Sequence, residues 1–216
     1  LAYCMFFVLF FFTYSFFFQG GGWNQNSKIC LVRSIIHYGT FTIDSCREDT
    51  EEMEFANTGD WSFYGGHYYS NKSPGHAFLA VPFYSAADYI LKRLYPDNHE
   101  RQVWLSSYFS TICTTGFFSA LLGVLMFHFF LYFSGMTVPV ALLLSLFFGF
   151  GTLAFSYSTT FYTHQLSAFF SFLSFILILH VRRDRTKRPK MLLLLAGLSI
   201  SLGVLGEPSV IFILGA

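Results

Sequence analysis

A polar stretch from residue 26 to residue 75 holds most of the side chains that could do chemistry, including seven of the twelve acidic residues. Asp44 and Asp60 are its candidate general bases. A carboxylate near an apolar surface can have its pKa raised toward the range in which it accepts a proton from a hydroxyl group. Asp44 could instead be a turn or cap residue, and Asp60 could hold the loop through backbone amides. The charge run 47–54 (REDTEEME) is expected to stay hydrated, which makes its acids poor candidates.

The same stretch carries candidate groups for binding an anion or a sugar. Lys72 could stabilise negative charge that develops on a phosphate leaving group, or it could be a lysine that reaches along the membrane interface. His67 and Tyr69 could bind phosphate or stack on a sugar ring. Tyrosines are also common in the aromatic belts of membrane proteins, so this alternative stays open.

Two further polar residues occur within the apolar part of the chain. His164 stands at the start of an apolar run, where it is either a ligand of the substrate or a satisfied interfacial histidine. Glu207 stands sixteen residues into the last run, which is roughly 24 Å along an α-helix. A carboxylate in such a position is costly, so it is expected to be functional or paired. Both residues are predicted to bind substrate.

Composition indicates an integral membrane protein. The 216 residues are 54% hydrophobic and 12% charged, whereas soluble domains are typically about 25% charged. The net charge of +1 gives no electrostatic footprint for nucleic acid. The chain starts without Met and stops within an apolar run, which suggests a fragment of a longer protein.

Apolar runs of nearly bilayer length predict an all-α integral membrane fold with five transmembrane helices. The runs are 3–18, 104–133, 137–155, 162–181 and 191–215. The predicted units are a first transmembrane helix over 1–18, an external loop over 19–103, and helices two to five over 104–216.

Two short helices are predicted in the external loop. Residues 26–38 show helical spacing of apolar side chains, so they form either a helix lying on the membrane surface or one packed on its neighbours. Residues 76–91 are apolar but short and contain Pro82 and Asp88. We expect them to form a juxtamembrane helix.

The linker 182–190 sets the orientation. It carries six Lys or Arg against one Asp and is therefore predicted to be cytoplasmic. The loop 19–103 and the turn 156–161 then face outside. Cys30 and Cys46 share that loop and could form a disulfide there, although spacing alone does not establish the pairing.

Three short motifs in the loop follow one another in a familiar order: Gly-Asp-Trp at 59–61, Gly-His-Tyr-Tyr at 66–69 and Lys-Ser-Pro at 72–74. With the predicted topology, they resemble the start of a GT-C glycosyltransferase, of the group that holds protein O-mannosyltransferases and the bacterial aminoarabinose transferase. In that family one transmembrane helix precedes a large external loop that bears an essential acid. Juxtamembrane helices and a bundle of spans follow.

The resemblance implies an enzyme of a bacterial inner membrane with its active site outside the cytoplasm. It would take a sugar from a polyprenyl-phosphate donor and pass it, with inversion, to an acceptor that a loop acid activates. Cations would bind the departing phosphate, and a divalent metal is a possible cofactor. Membrane lipid is the expected surrounding partner.

The position of the acid departs from the family pattern. The family's acidic motif precedes a basic residue, and the matching place ahead of Lys28 is Gln25-Asn26, which has no acid. Distance to the Gly-Asp-Trp motif points to Asp44 instead. A transporter or lipid flippase, and a non-catalytic membrane subunit, are the alternative functions.

Overall fold

The computed structural model describes residues 2–48, 58–183 and 188–214. Most of the charge run 47–54, with Asp49, Glu51 and Glu52, and the centre of the linker 182–190 lie outside these ranges. The chain is mostly helical. Its elements are α1 (Ala2–Phe16), α2 (Trp23–Tyr38), α3 (Asp44–Glu48), β1 (Trp61–Tyr64), β2 (His67–Ser70), α4 (Gly75–Leu94), α5 (His99–Phe133), α6 (Val138–Gly151), α7 (Leu153–Ser158), α8 (His164–Arg183), α9 (Pro189–Gly206) and α10 (Ile211–Leu214).

Three helices, α5, α8 and α9, are long and apolar enough to cross a membrane. They account for the predicted runs 104–133, 162–181 and most of 191–215. The helices α1 and α6 are also apolar but have only 15 and 14 residues, against the roughly 20 that span a bilayer. The structure therefore supports a membrane protein with three candidate spans, and five spans remain a prediction.

The sequence predicted that Glu207 lies within a helix. This prediction is wrong. Helix α9 ends at Gly206, and Glu207 follows it with extended backbone angles, φ −141° and ψ 100°. The next residue, Pro208, has no N–H to donate and disfavours helical geometry in the residue before it. The carboxylate is therefore at the end of α9, where it avoids the free-energy cost of burying a charge inside an apolar helix.

Helix α1 packs closely on the bundle through aromatic side chains opposite glycines. Phe10 and Tyr14 are buried, and the Tyr14 hydroxyl donates to the carbonyl of Gly149 in α6 at 3.2 Å. A Cβ atom at Gly123 in α5 would stand 2.6 Å from the Phe10 ring. Glycine at this position therefore lets α1 approach α5 closely.

The loop 19–103 contains a β-hairpin, which the all-α prediction omitted. Strands β1 and β2 pair antiparallel with Trp61 opposite Ser70. Gly65 and Gly66, both with positive φ (60° and 89°), form the turn, as expected for a two-residue hairpin connection. Thr42 also makes a bridge to Tyr69, so the segment before α3 extends the pairing.

The helices of the loop are packed rather than spread on a surface. In α2, ten successive residues from 25 to 34 are buried, so the second alternative, a helix packed on its neighbours, is the one observed. Helix α4 contains the predicted segment 76–91 and packs against α2 and α5. A disulfide between Cys30 and Cys46 joins α2 to α3.

Candidate functional site

A polar cavity of about 200 Å³ lies where the loop 19–103 meets the ends of two helices. Three sites of the chain contribute: the start of α2, the segment after β2, and the facing ends of α8 and α9. The lining residues are Asn24, Lys28, Asn71, Lys72, Ser73, Thr163, His164 and Glu207. The cavity thus brings together three predicted substrate-binding residues, Lys72, His164 and Glu207, that are far apart in sequence.

Of the described charged residues that line this cavity, Lys28 is the one that was not predicted from the sequence. Only 4% of its surface is exposed, and its Nζ donates to Thr163 Oγ1 at 2.7 Å. Burial lowers the pKa of Lys28 to about 8; Glu207 opposes this effect and Lys72 reinforces it. The signal that could have found Lys28 is the family pattern of a basic residue after the acidic motif.

Lys72 is held at the cavity by Asp60. Its Nζ lies 3.1 Å from Asp60 Oδ1, and both side chains are partly exposed. The backbone of Asp60 is fixed in turn, because its carbonyl accepts from Ser27 Oγ at 2.6 Å and its amide donates to Thr58 Oγ1 at 3.1 Å. Asp60 therefore adjoins the cavity through its ion pair and does not line it.

His164 and Glu207 form a pair at the facing ends of α8 and α9. His164 Nδ1 lies 3.3 Å from Glu207 Oε2, and Ser209 Oγ donates to the other carboxylate oxygen at 3.4 Å. The helix ends can meet because Gly206 is small: a Cβ there would stand 2.7 Å from Ser167 Oγ. Of the described residues that line the cavity, Glu207 is the one carboxylate.

A second cavity, of about 220 Å³, adjoins the first at Lys72. Its walls are mainly apolar and come from α2, β2 and the start of α4. The lining residues are Leu31, Phe41, Tyr69, Ser70, Lys72, Pro74 and Phe78. Tyr69, a predicted substrate-binding residue, is therefore in the apolar cavity, and Lys72 faces both cavities.

Asp44 and His67 lie together but line neither cavity. His67 Nδ1 is 2.8 Å from Asp44 Oδ2, and the Tyr68 amide donates to Asp44 Oδ1 at 2.7 Å. The Tyr68 amide, followed by His67, lowers the pKa of Asp44, because hydrogen bonds to a carboxylate favour its charged form. The expectation of a raised pKa for Asp44 is therefore wrong, whereas its catalytic role is untested and stays a prediction.

Metal binding finds no geometric support in residues 2–48, 58–183 and 188–214. No group of three or more His, Cys, Asp or Glu side chains in these ranges could hold a metal ion. Comparisons with protein-family models, with curated proteins and with solved structures found no match. The site's own residues indicate its chemistry. Two lysines are suited to binding an anion, a histidine–carboxylate pair is suited to proton transfer, and an apolar cavity adjoins them.

Proposed function

We propose that the protein transfers a sugar from a polyprenyl-phosphate donor to an acceptor outside the cytoplasm, as a membrane glycosyltransferase of the GT-C type. The observation that carries this proposal is the position of Lys72 at the junction of an apolar and a polar cavity. A polyprenyl-phosphate sugar has the same order of parts: an apolar chain, a phosphate and a polar sugar. The apolar cavity would take the first isoprene units, and the polar cavity the sugar.

Lys28 and Lys72 would bind the phosphate between these parts. Negative charge grows on the phosphate oxygen as the bond to the sugar breaks, and fixed cations stabilise that charge in the transition state. Lys28 is suited to this role because its hydrogen-bond partner Thr163 is neutral and its side chain is buried. An anion there would be held with little competition from water.

The disulfide supports an external loop. Disulfides persist in oxidising compartments and are rare in the cytosol, and the pair Cys30–Cys46 lies in the loop that also supplies both lysines. The contacts of Lys28 with Thr163 and of His164 with Glu207 hold the loop and the ends of α8 and α9 at one end of the bundle. This arrangement agrees with an active site at the outer surface.

The proposed fold is a GT-C-like bundle in which α1 and α6 also cross the membrane. In support, α1 packs against α5 in one aromatic cluster that includes Phe10 and Phe127. An apolar first helix followed by an external loop with buried helices is the order that the family resemblance implies.

Donor binding tests the proposal most directly. In the protein reconstituted in nanodiscs, we expect undecaprenyl phosphate to bind, and Lys72→Gln or Lys28→Gln to weaken binding about 10- to 100-fold. A charge-assisted hydrogen bond contributes about 1.5–3 kcal/mol. Lys92→Gln is the matched control, because Lys92 also pairs with an aspartate, Asp88 at 2.8 Å, but lines neither cavity.

Turnover separates the enzyme from the alternatives. A panel of undecaprenyl-phosphate hexoses would be incubated with native membranes that hold the protein, and release of undecaprenyl phosphate would be measured. We expect one donor to be consumed. Binding without consumption of any donor would instead favour a flippase or a non-catalytic subunit, and equal binding by the lysine variants would remove the phosphate site.

A further inference from the structure

We propose that His164, oriented by Glu207, accepts the proton of the acceptor hydroxyl during sugar transfer. This inference rests on the proposed glycosyltransferase function and names the base that the function requires. The geometry gives the role to a histidine of a membrane helix, whereas the sequence pointed to an acid of the external loop.

The position of the pair is the first reason. His164 and Glu207 line the polar cavity together with both lysines. Asp44 lies outside both cavities, with its two oxygens engaged by His67 and the Tyr68 amide. Asp60 pairs with Lys72 at 3.1 Å. A proton accepted by Asp60 would break this ion pair and release the Lys72 side chain that is to bind the phosphate.

The tautomer of His164 is the second reason. A carboxylate accepts hydrogen bonds, and Nδ1 of His164 lies 3.3 Å from Glu207 Oε2; the proposal therefore assigns the imidazole proton to Nδ1. The other ring nitrogen, Nε2, then carries a lone pair and can accept a proton. A carboxylate that orients a histidine in this way also stabilises the imidazolium formed by proton transfer.

The step balances as a single displacement. The acceptor oxygen forms a bond to the anomeric carbon, and the bond from that carbon to the phosphate oxygen breaks. Its electron pair leaves with the polyprenyl phosphate, whose added charge Lys28 and Lys72 stabilise. The acceptor proton moves to Nε2 of His164, and the imidazolium later releases it to water. In this step His164 is the catalytic residue and Glu207 the positioning residue.

The missing loop acid is consistent with this assignment. In the pattern that the chain resembles, an acid belongs at Gln25-Asn26, and both of these residues are buried amides here. They begin the helix that carries Lys28 into the same cavity as His164. Among the described residues that line the cavity, none is an acid of the loop, whereas α8 supplies His164.

The test uses native membranes that hold the full chain and the donor that the wild type consumes. We expect His164→Ala to lower the rate of donor consumption about 10²- to 10⁴-fold, to leave undecaprenyl phosphate binding within about threefold, and to regain activity when imidazole is added. We expect Glu207→Gln to lower the maximal rate without weakening binding, with partial recovery in Glu207→Asp. His37→Ala is the matched control, because His37 also faces a carboxylate, Asp88 at 3.8 Å, but lies outside the cavity.

The outcomes separate this inference from the function on which it rests. Wild-type activity in His164→Ala, or a loss of activity accompanied by a loss of donor binding, would overturn the role of His164 and leave the transferase intact. A loss that imidazole does not restore would also count against proton transfer. A wild type that binds undecaprenyl phosphate but consumes no donor would overturn the transferase, and this inference with it.

Discussion

Lys28 is buried, unlike most lysines, and its surroundings determine what it can bind. It is buried beside a neutral threonine, and desolvation lowers its pKa to about 8. A bound anion would restore the charged form. Lys28 therefore links the affinity of the site for phosphate to pH.

We predict that undecaprenyl-phosphate sugar binds more weakly at pH 9 than at pH 7, by up to about tenfold. Lys28 is mostly charged below its pKa of about 8 and mostly neutral above it, whereas the phosphodiester of the donor keeps one charge throughout. Titration of the protein in nanodiscs at both pH values measures the effect. In Lys28→Gln we expect weak binding with little difference between pH 7 and pH 9; an unchanged pH dependence would place the titrating group elsewhere.

Asp44 is predicted to brace the hairpin. Its folded-state pKa is lowered, so its contribution to stability is present above the usual carboxyl pKa of about 4 and is lost as pH falls through the folded-state value. We expect Asp44→Asn to cost about 1 kcal/mol at pH 7, since the pair is partly exposed, and less at pH 3. Thermal unfolding in detergent at both pH values measures the difference.

Asp97→Asn is the control for this prediction, because Asp97 is exposed. Sugar transfer is expected to persist in Asp44→Asn. If transfer disappeared while the unfolding temperature stayed that of the wild type, the base would be Asp44, as the sequence analysis predicted.

At the scale of elements, the start of α4 is fixed against the end of α9. A Cβ atom at Gly75 would stand 2.5 Å from the carbonyl oxygen of Leu205. This close approach lies three residues after Lys72 and two residues before Glu207. It therefore helps to hold Lys72 and Glu207 at the same cavity.

We predict that Gly75→Ala destabilises the protein by about 1–3 kcal/mol, because the backbone of α4 or α9 must move to admit the methyl group. Donor binding should weaken as well, since Lys72 moves with the start of α4. Gly197→Ala is the matched control: Gly197 lies in α9, the helix that Gly75 approaches, but an added Cβ there meets nothing within 4 Å. Thermal unfolding and undecaprenyl phosphate binding are measured for both variants. Equal stability and equal binding in the two variants would contradict the prediction.

At the scale of the whole molecule, the candidate site lies at one end of the bundle. The cavity lies between the loop 19–103, the start of α8 and the end of α9, whereas the basic linker follows the far end of α8. The predicted external and cytoplasmic segments are therefore separated by the length of a candidate span.

We predict that residue 64 is outside the cytoplasm and residue 182 inside. Tyr64 is 80% exposed at the hairpin turn, and Arg182 is in the exposed last turn of α8. Tyr64→Cys should react with a membrane-impermeant maleimide in intact cells, and Arg182→Cys only after the membrane is opened. The reverse pattern would invert the topology and place the disulfide in the cytoplasm.

The sequence by itself determined that the chain is mostly helical and that some of its helices are long and apolar enough to cross a membrane. Apolar runs such as 104–133 and 162–181 predict helices because most of their residues favour lipid and the backbone must satisfy its own hydrogen bonds there. The turn at Gly65-Gly66 likewise follows from local residue types, since consecutive glycines favour turns. These features depend on neighbours in sequence, so a single chain reveals them.

Only the tertiary structure decided which polar residues share a site. Lys28 meets Thr163, and His164 meets Glu207, because α8 and α9 pack together and the loop folds over their ends. The periodicity of the sequence within one helix or strand does not predict these contacts between distant segments. Asp44 shows the same limit: its sequence neighbours gave no sign of its folded neighbours, the Tyr68 amide and His67, which contact both carboxylate oxygens.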